Sequence, residues 1–386
     1  MTAVSIPPKG NPHTLEGLPD ELLILVLEAL VRAGDTKRHL WAMCLVSRRI
    51  NSVADPVLYR SILFDEPEHH LAFSASLATR PRRGSLIQDV RLEYPGSKLS
   101  GLMSLQDSLN RIDTFSHTIS TMSNLENLVI SVPDSLCHGI GTLFNGPFDL
   151  ACLKSCSLFY QCEDDGYWDL RENIHIFGHP TLEHLTIRRA RLDRRGFESP
   201  EQPSETALKE LNLYECDIND EALSDLLLFP EALKSFTMTQ REEPVPALEE
   251  SSDDVEDYIL ALHSAQHSLE SITIDFAALG AENALRLRDF QVLSSLRLRD
   301  YQLFGQSSNS PRLYSVGLPS TLEVLEFVNP LGQDDVVTEL LGNTIEQKDI
   351  LARKWRKMIA LGKLEELPAR ILEACDAVEN FTLEMR

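Results

Sequence analysis

The chain repeats one short pattern of apolar and variable positions. Each copy begins with a leucine-like residue, continues with two variable residues and an apolar residue, and ends with one variable and one apolar residue; Leu182, Leu185 and Ile187 form one copy. Alternating apolar and variable residues predict a strand with one buried face. The copies begin at Ile87, Leu125, Leu153, Leu182, Leu208, Leu233, Leu269, Leu293 and Leu322.

Most of these nine copies are separated by 24 to 29 residues, with longer gaps where insertions would lie. A pattern that recurs at this spacing resembles the leucine-rich repeat, in which one strand cannot bury its apolar face alone and neighbouring units stack to do so. The alternative is a conventional layered domain with copies produced by chance, but such folds show no sustained period of this length. We therefore predict an α/β fold with an irregular solenoid over residues 63–332, built for binding.

Helical spacing precedes the repeats. Apolar residues within 18–30 recur at intervals of three and four, and Pro19 suits a first helical turn because its missing N–H costs nothing there. A second helix is predicted over residues 37–47 and a third over residues 48–54, with Pro56 marking its end. The sequence thus predicts a small three-helix domain over residues 15–62.

Helical spacing returns after the repeats. From Asp334 onward it predicts a helical cap over residues 333–386 that covers the last exposed edge of the array. Trp355 would lie on a basic helix of this cap, whose arginine and lysine side chains face solvent. The strand pattern recurs once more at Val378, Phe381 and Leu383, and would add a final strand.

Two segments follow neither pattern. Residues 1–14 are rich in proline and predict a disordered lead. Residues 241–257 hold eight carboxylates and two prolines between the copies at Leu233 and Leu269, and predict a solvated acidic insertion. The alternative is that this insertion binds a basic partner.

The charge and cysteine content limit the functions open to the chain. A formal net charge of −23 argues against a nucleic-acid binder and against anionic membrane surfaces, because both need clustered lysine and arginine. The seven cysteines lack the spacing of a disulfide framework and predict reduced thiols. The chain starts without a signal-peptide pattern, and its longest apolar run, residues 22–31, is too short to span a bilayer. We expect a cytoplasmic or nuclear protein that does not enter membranes.

The helical segment before the repeats carries three motifs in a fixed order. They are LPDELL at residues 18–23, CLVSRRINSVA at residues 44–54 and PVLY at residues 56–59. In this order they resemble the F-box. The chain departs from that family pattern at Ile50, where an aromatic residue is usual, and in residues 34–36 between the first two helices. Neither departure removes an apolar position.

An F-box ahead of leucine-rich repeats resembles the substrate receptors of SCF-type cullin-RING ubiquitin ligases, most closely those of filamentous fungi. The resemblance implies that the F-box docks on the linker subunit, and through it on cullin, while the repeats capture the protein to be ubiquitylated. Such an adaptor carries out no catalysis itself. The alternative is a leucine-rich-repeat interaction scaffold that acts outside a ubiquitin ligase.

The docking residues follow from this resemblance. Leu18 and Pro19 would open the contact with the linker subunit, and an apolar helix face would extend it. The alternative is that the same side chains form the core of a small bundle; we expect core positions mainly at Leu27, Leu30, Leu45 and Val53, and interface positions mainly at Leu18, Pro19 and Leu22. The full predicted docking set is Leu18, Pro19, Leu22, Leu23, Val26, Leu27, Leu45 and Val46.

Outward positions on the predicted strands give a candidate substrate face. Tyrosine and arginine are enriched as anchors in protein interfaces, and arginine pairs with carboxylates and phosphates. An acidic or phosphorylated target protein is therefore expected, with an ordinary solvated strand face as the alternative. The candidate residues are Arg188, Tyr214, Arg297 and Arg299.

Enzyme motifs are absent from the sequence. It holds no Gly-rich phosphate loop, no Gly-x-Ser-x-Gly elbow and no His-Glu-x-x-His. Cys156, Cys162, His175 and His179 approach a zinc-finger spacing, but the first gap is too long and Cys156 takes an inward strand position. No metal, cofactor or catalytic residue is expected.

Overall fold

The computed structural model describes residues 15–32, 37–94, 118–134, 137, 150–162, 166–195, 197, 205–241, 251–305 and 317–386. The predicted lead at residues 1–14 and most of the predicted acidic insertion, residues 242–250, lie outside this part of the chain. Residues 251–257 are part of the folded array, because Asp254 caps a helix whose first residue, Val255, is fully buried.

Three helices, α1 (Asp20–Arg32), α2 (Lys37–Cys44) and α3 (Arg48–Tyr59), form an N-terminal module. α2 ends three residues before its predicted end because Ser47 instead caps α3. The Ser47 hydroxyl accepts the Ile50 N–H at 3.2 Å, which satisfies a donor that the first helical turn leaves unpaired.

The core of the module is small. Leu23, Leu27 and Leu40 are buried in one cluster with Ile50, Val53 and Ala54. Leu27 and Val53 thus lie in the core as expected. Leu30 and Leu45 are exposed, contrary to the prediction, because a module of this size buries few side chains.

Pro56 does not end α3, which runs on to Tyr59. The proline removes one helical hydrogen bond, but Val57 and Leu58 pack on the module core and Tyr59 packs on the core of the array. This packing offsets the lost bond. As a result, Arg60 alone separates α3 from the first strand.

The rest of the described chain is built around parallel strands. They are β1 (Ser61–Phe64), β2 (Asp89–Glu93), β3 (Asn127–Pro133), β4 (Ser155–Gln161), β5 (Trp168–Asp169), β6 (His184–Arg188), β7 (Ala190–Leu192), β8 (Glu210–Tyr214), β9 (Asp217–Ile218), β10 (Ser235–Thr239), β11 (Ser271–Asp275), β12 (Ser295–Leu298), β13 (Val324–Pro330), β14 (Lys357–Leu361) and β15 (Thr382–Met385). Twelve of them form one sheet in the order β1-β2-β3-β4-β6-β8-β10-β11-β12-β13-β14-β15, and β5, β7 and β9 form a second sheet.

Helices and helical turns connect the strands, as parallel pairing requires. The α-helices are α4 (Pro67–Thr79), α5 (Asp220–Leu226), α6 (Val255–Leu262), α7 (Asp300–Phe304), α8 (Asp335–Glu346), α9 (Lys348–Leu351) and α10 (Ala369–Ala377). The 3-10 helices are Leu15–Gly17, Pro81–Leu86, Leu170–Gly178, His263–Ala265 and Leu364–Glu366. In the described part of the chain, no helix has the length and apolar composition needed to cross a membrane.

Each of the nine predicted copies forms a strand of the large sheet that begins two residues after the copy does. The strands pair in register, so that the second apolar residues align; Leu185 pairs with Cys156 on one side and Leu211 on the other. The three apolar residues of every copy are buried in one continuous core. The array is therefore a stacked solenoid of the leucine-rich-repeat type, as predicted.

One backbone carbonyl in each repeat accepts two successive N–H groups of the next repeat. The Glu183 carbonyl accepts from Lys209 at 2.9 Å and from Glu210 at 3.0 Å. The same arrangement recurs at ten successive steps, from the carbonyl of Arg60 to that of Glu323. It aligns neighbouring repeats just before each strand begins.

The array extends beyond the predicted boundaries of 63–332. Tyr59 and Trp355 take the first apolar position in two further copies, ahead of β1 and β14. Trp355 is fully buried there and not on a basic helix, so the predicted helical cap is wrong in this segment. β15 also departs from the predicted final strand, because Leu383 pairs with Met358 and so takes the second apolar position instead of the third.

The turn after α7 offers a test of these local constraints. Gly305 has a φ of +80°, and a Cβ at this position would lie 2.7 Å from the carbonyl carbon of Asn283. Gly305→Ala should therefore lower the free energy of unfolding by about 2 kcal/mol, which thermal unfolding followed by circular dichroism would detect. Gly178→Ala is the matched control, since its Cβ would approach no atom closer than 3.8 Å. An equal loss of unfolding free energy in both variants would contradict the strain expected for a side chain at position 305.

Candidate functional site

The three-helix module exposes an unusual share of apolar side chains. Within the described residues, ten of the 19 large apolar side chains that are exposed lie in residues 15–46. Clusters of exposed apolar side chains mark interaction sites in soluble proteins. The ten are Leu15, Leu22, Ile24, Leu25, Val26, Leu30, Val31, Trp41, Leu45 and Val46.

One group of these side chains lies along α1. Leu22, Leu25 and Val26 are three and four residues apart and share one outward helix face. Leu23 and Leu27 belong to the predicted docking set, but they are fully buried, because the helical period that turns Leu22 outward turns them into the module core. For Leu27 this agrees with its expected core position. Leu25, which the prediction omitted, belongs to the outward face in their place.

A second group lies around the end of α2. Trp41 is 66% exposed and Leu45 is 78% exposed, and Val46 follows directly. Trp41 and Leu45 border a groove of about 430 Å³ that Arg80 lines from the array side. The prediction included Leu45 and Val46 but missed Trp41, although its spacing of four residues from Leu45 was a signal for a shared helix face.

The segment that opens α1 is held in place by α3. The Arg49 guanidinium donates to the Leu18 carbonyl and pairs with the Asp20 carboxylate at 2.7 Å. Leu18 packs partly against the module core, whereas Pro19 is exposed. Of the first two predicted docking residues, Pro19 is therefore exposed and Leu18 is partly buried.

Side chains at the junction of α3 and β1 fix the module to the array. The Arg83 guanidinium lies 4.4 Å from the ring centre of Tyr59 and pairs with Asp55 at 3.1 Å. The Tyr59 ring also packs against Phe73, with ring centres 6.3 Å apart. A partner bound to α1 or α2 would consequently have a defined position relative to the sheet.

The solvent-facing side of the large sheet is the second candidate surface. Side chains alternate along each strand, so the residues between buried positions form rows that cross the strands. Arg188 pairs in register with Tyr214, and these two candidates lie side by side. Arg297 lies on β12, four strands from β6, and Arg299 follows β12 as the N-cap of α7.

Arg188 belongs to a cluster of ion pairs and ring contacts. The Glu215 carboxylate accepts from Arg188 at 3.0 Å and from Arg189 at 2.6 Å. Both guanidinium groups also lie over the Phe159 ring, at 5.2 and 5.7 Å from its centre. Burial disfavours ionisation of Glu215, but the two hydrogen bonds outweigh it and lower the pKa of this carboxyl group.

The five arginines between residues 188 and 195 pair largely with the next repeat. Arg191 reaches Asp217 at 3.1 Å and Arg194 reaches Glu221 at 3.1 Å. Together with the bonds to Glu215, these contacts join residues 26 or 27 positions apart, which is one repeat. This arginine-rich segment therefore connects repeats and does not form an open basic patch.

The arginines near the C-terminal end of the large sheet differ in how fully they are paired with carboxylates of the chain. Arg299 pairs with Asp275 at 2.8 Å. The Glu326 carboxylate accepts from Arg386 at 2.7 Å, while the Nε of Arg297 lies 3.3 Å from it without a hydrogen bond. Among the described residues, Arg297 thus has only an ion-pair contact, and it remains the predicted arginine most available to a ligand.

The residues with zinc-finger spacing do not converge. Cys156 is buried on β4, whereas His175 is exposed on the 3-10 helix Leu170–Gly178. Burial raises the pKa of the Cys156 thiol, and a zinc ligand is a thiolate. Within the described ranges, no group of three or more His, Cys, Asp or Glu side chains is arranged to hold a metal ion.

The chain has detectable similarity to solved structures. No protein-family profile matches the chain, and no curated protein matches it significantly. The crystal structure of the Rad7 and Elc1 complex in yeast includes a chain that is 15% identical, with 94% of this chain and 92% of that chain covered and a TM-score of 0.33. Assignment of the solenoid therefore depends on the strand pairing within this chain.

The exposure of Trp41 can be measured directly. Trp168 and Trp355 are buried, so Trp41 should supply most of the emission that acrylamide quenches. Trp41→Phe should remove most of this quenchable emission, and Trp355→Phe, as the control, should leave it in place. Full quenching of the Trp41→Phe variant would show that α2 does not present this side chain to solvent.

The Glu215 cluster should contribute stability in a pH-dependent way. Because its folded pKa is lowered, Glu215 stabilises the fold fully above its unfolded value of about 4.3, and the contribution is lost as the pH falls through the folded pKa. Glu215→Gln should lower the thermal midpoint at pH 7 by about 2 °C, with the difference shrinking at pH 3.

Glu221→Gln is the matched control for this measurement, because both partners of the Arg194–Glu221 pair are more than half exposed. Exposed pairs contribute little, so this variant should melt like the parent chain. A difference for Glu215→Gln that stays constant between pH 7 and pH 3 would refute the role of its ionised carboxylate.

Proposed function

We propose that this chain is the substrate-recognition subunit of an SCF-type cullin-RING ubiquitin ligase. Residues 15–62 would act as the F-box and dock on the linker subunit, while the repeats bind the protein to be ubiquitylated. The observation that carries the proposal is the concentration of exposed apolar side chains on the three-helix module, in a segment whose sequence resembles the F-box.

Two properties of the module support a protein partner at this surface. Leu22, Leu25 and Val26 form an apolar helix face of the kind that packs into a partner's groove, and Trp41 with Leu45 supplies larger anchors. The buried core of the module is also small. Binding to the folded form alone would stabilise such a module by mass action.

The proposed role needs no chemistry from this chain. Transfer of ubiquitin would be carried out by the conjugating enzyme, and the receptor would supply proximity and orientation. The connection of α3 to β1 through Arg60 alone supports this role, because a short connection keeps the docked end and the capturing end at a set distance. We place this activity in the cytoplasm, the nucleus or both.

The docking surface can be tested with exposed leucines. Leu22→Ala combined with Leu45→Ala should weaken binding of purified linker subunit by at least about 10-fold, because each change removes apolar contact area at the interface. Calorimetry on the full chain would measure this change in affinity.

The array supplies a matched control for these two changes. Leu228 and Leu260 are 57% and 55% exposed and lie outside the module, so Leu228→Ala with Leu260→Ala should leave linker binding unchanged. If the parent chain does not bind the linker subunit, the ligase role fails and an interaction scaffold outside a ligase is favoured. Undiminished binding of the Leu22 and Leu45 double variant would instead reject this surface.

A further inference from the structure

The sheet face between β6 and β12 carries a tract of small hydroxyl side chains. We propose that this tract binds an α-helix of the target protein, laid across the strands, with acidic side chains directed at Arg188 and Arg297. The inference deepens the proposed function and assumes only that the array captures a protein. The residues of this hydroxyl tract are Thr186, Ser235, Thr237, Ser271, Thr273 and Ser295.

The hydroxyl side chains are short and uncharged. Strand β8 contributes none of them, because Asn212, only 8% exposed, lies between Thr186 and Thr237, and Glu210 lies beside Ser235. Ser235, Ser271 and Ser295 align in one row, and Thr237 aligns with Thr273 in the next. All are half-buried, and none of them makes a side-chain hydrogen bond within the described residues. A ligand can therefore approach the sheet closely and find donors and acceptors that the fold does not use.

The spacing of the strands favours a helix over an extended peptide. Neighbouring strands are about 4.8 Å apart, and a helix lying across them presents one side chain per turn of about 5.4 Å. The difference between the helix turn and the strand spacing adds up to only about 2.4 Å over four strand spacings. In an extended peptide, side chains on one face are about 6.6 Å apart. The difference from the strand spacing then adds up to about 7 Å over the same four strands, which exceeds one whole strand spacing.

The positions of Arg188 and Arg297 determine where the acidic residues of the ligand must lie. Arg188 uses one of its nitrogens on Glu215 and is 46% exposed, and Arg297 makes no hydrogen bond among the described residues. They lie four strand spacings apart, or about 19 Å. A helix returns to the same face after 11 and after 14 residues, a rise of about 16 and 21 Å. Two acidic residues at either separation would therefore reach both guanidinium groups from one helix face.

The probe is a 20-residue alanine- and glutamine-based helical peptide with glutamates 14 residues apart and a fluorescent label. Fluorescence anisotropy with the full chain at low salt should detect binding. Replacing both glutamates by glutamine, or placing proline at the centre, should weaken binding about 10-fold, since each removes either the charge-assisted bonds or the helix. If the proline peptide binds as tightly as the parent peptide, the proposal of a helical ligand is overturned.

Variants of the chain test the site itself. Arg188→Gln and Arg297→Gln should each weaken the peptide about 10-fold, and Thr237→Tyr should do so by blocking the hydroxyl tract. Arg353→Gln is the control, because Arg353 is exposed on the turn before β14. No binding by the parent chain, or equal binding by the Arg297→Gln variant, would reject this site.

The two proposals fail separately. Linker binding depends on the module, so loss of peptide binding with linker binding intact rejects only the helix site. Peptide binding by a chain that does not bind the linker subunit would retain the helix site and reject the ligase role.

Discussion

The whole array depends on the stacking of three inward apolar residues per repeat, held in register by parallel strand pairing. A single strand of four to seven residues cannot bury its apolar face, and each repeat is folded only because its neighbours cover it. The carbonyl that accepts two N–H groups of the next repeat sets this register at every step. Because the side-chain period of a strand is two, burial of one set of positions also decides which side chains form the outward rows.

This register brings residues that are one repeat apart in the sequence into contact. Residues 26 or 27 positions apart become neighbours, which is how Glu215, Asp217 and Glu221 come to pair with the arginines of the preceding repeat. An acidic chain thus contains an arginine-rich segment without an open basic patch. The outward rows that remain between β6 and β12 are mostly small and neutral, and the arginines there differ in availability according to the carboxylate beside each.

The N-terminal module follows a different constraint. A domain of its size has too little interior to bury all of its apolar residues, so Leu22, Trp41 and Leu45 remain on the surface. Its connection to the array compensates in part, because Tyr59 contributes to the core of the array while the rest of α3 contributes to the module. The module and the first repeat are therefore built on one continuous segment of chain.

The sequence by itself determined the repeat architecture, because an apolar pattern recurring every 24 to 29 residues leaves few ways to bury the strands that it predicts. It also placed the three helices of the module within a few residues. It missed the copies that begin with Tyr59 and Trp355, since an aromatic residue fills the position that leucine marks elsewhere. Only the tertiary structure decided that Leu23 is a core residue while Leu25 and Trp41 are exposed. Likewise, the pairing of Arg188 and Arg299 with carboxylates depends on strand register, which joins residues that lie one repeat apart in the sequence.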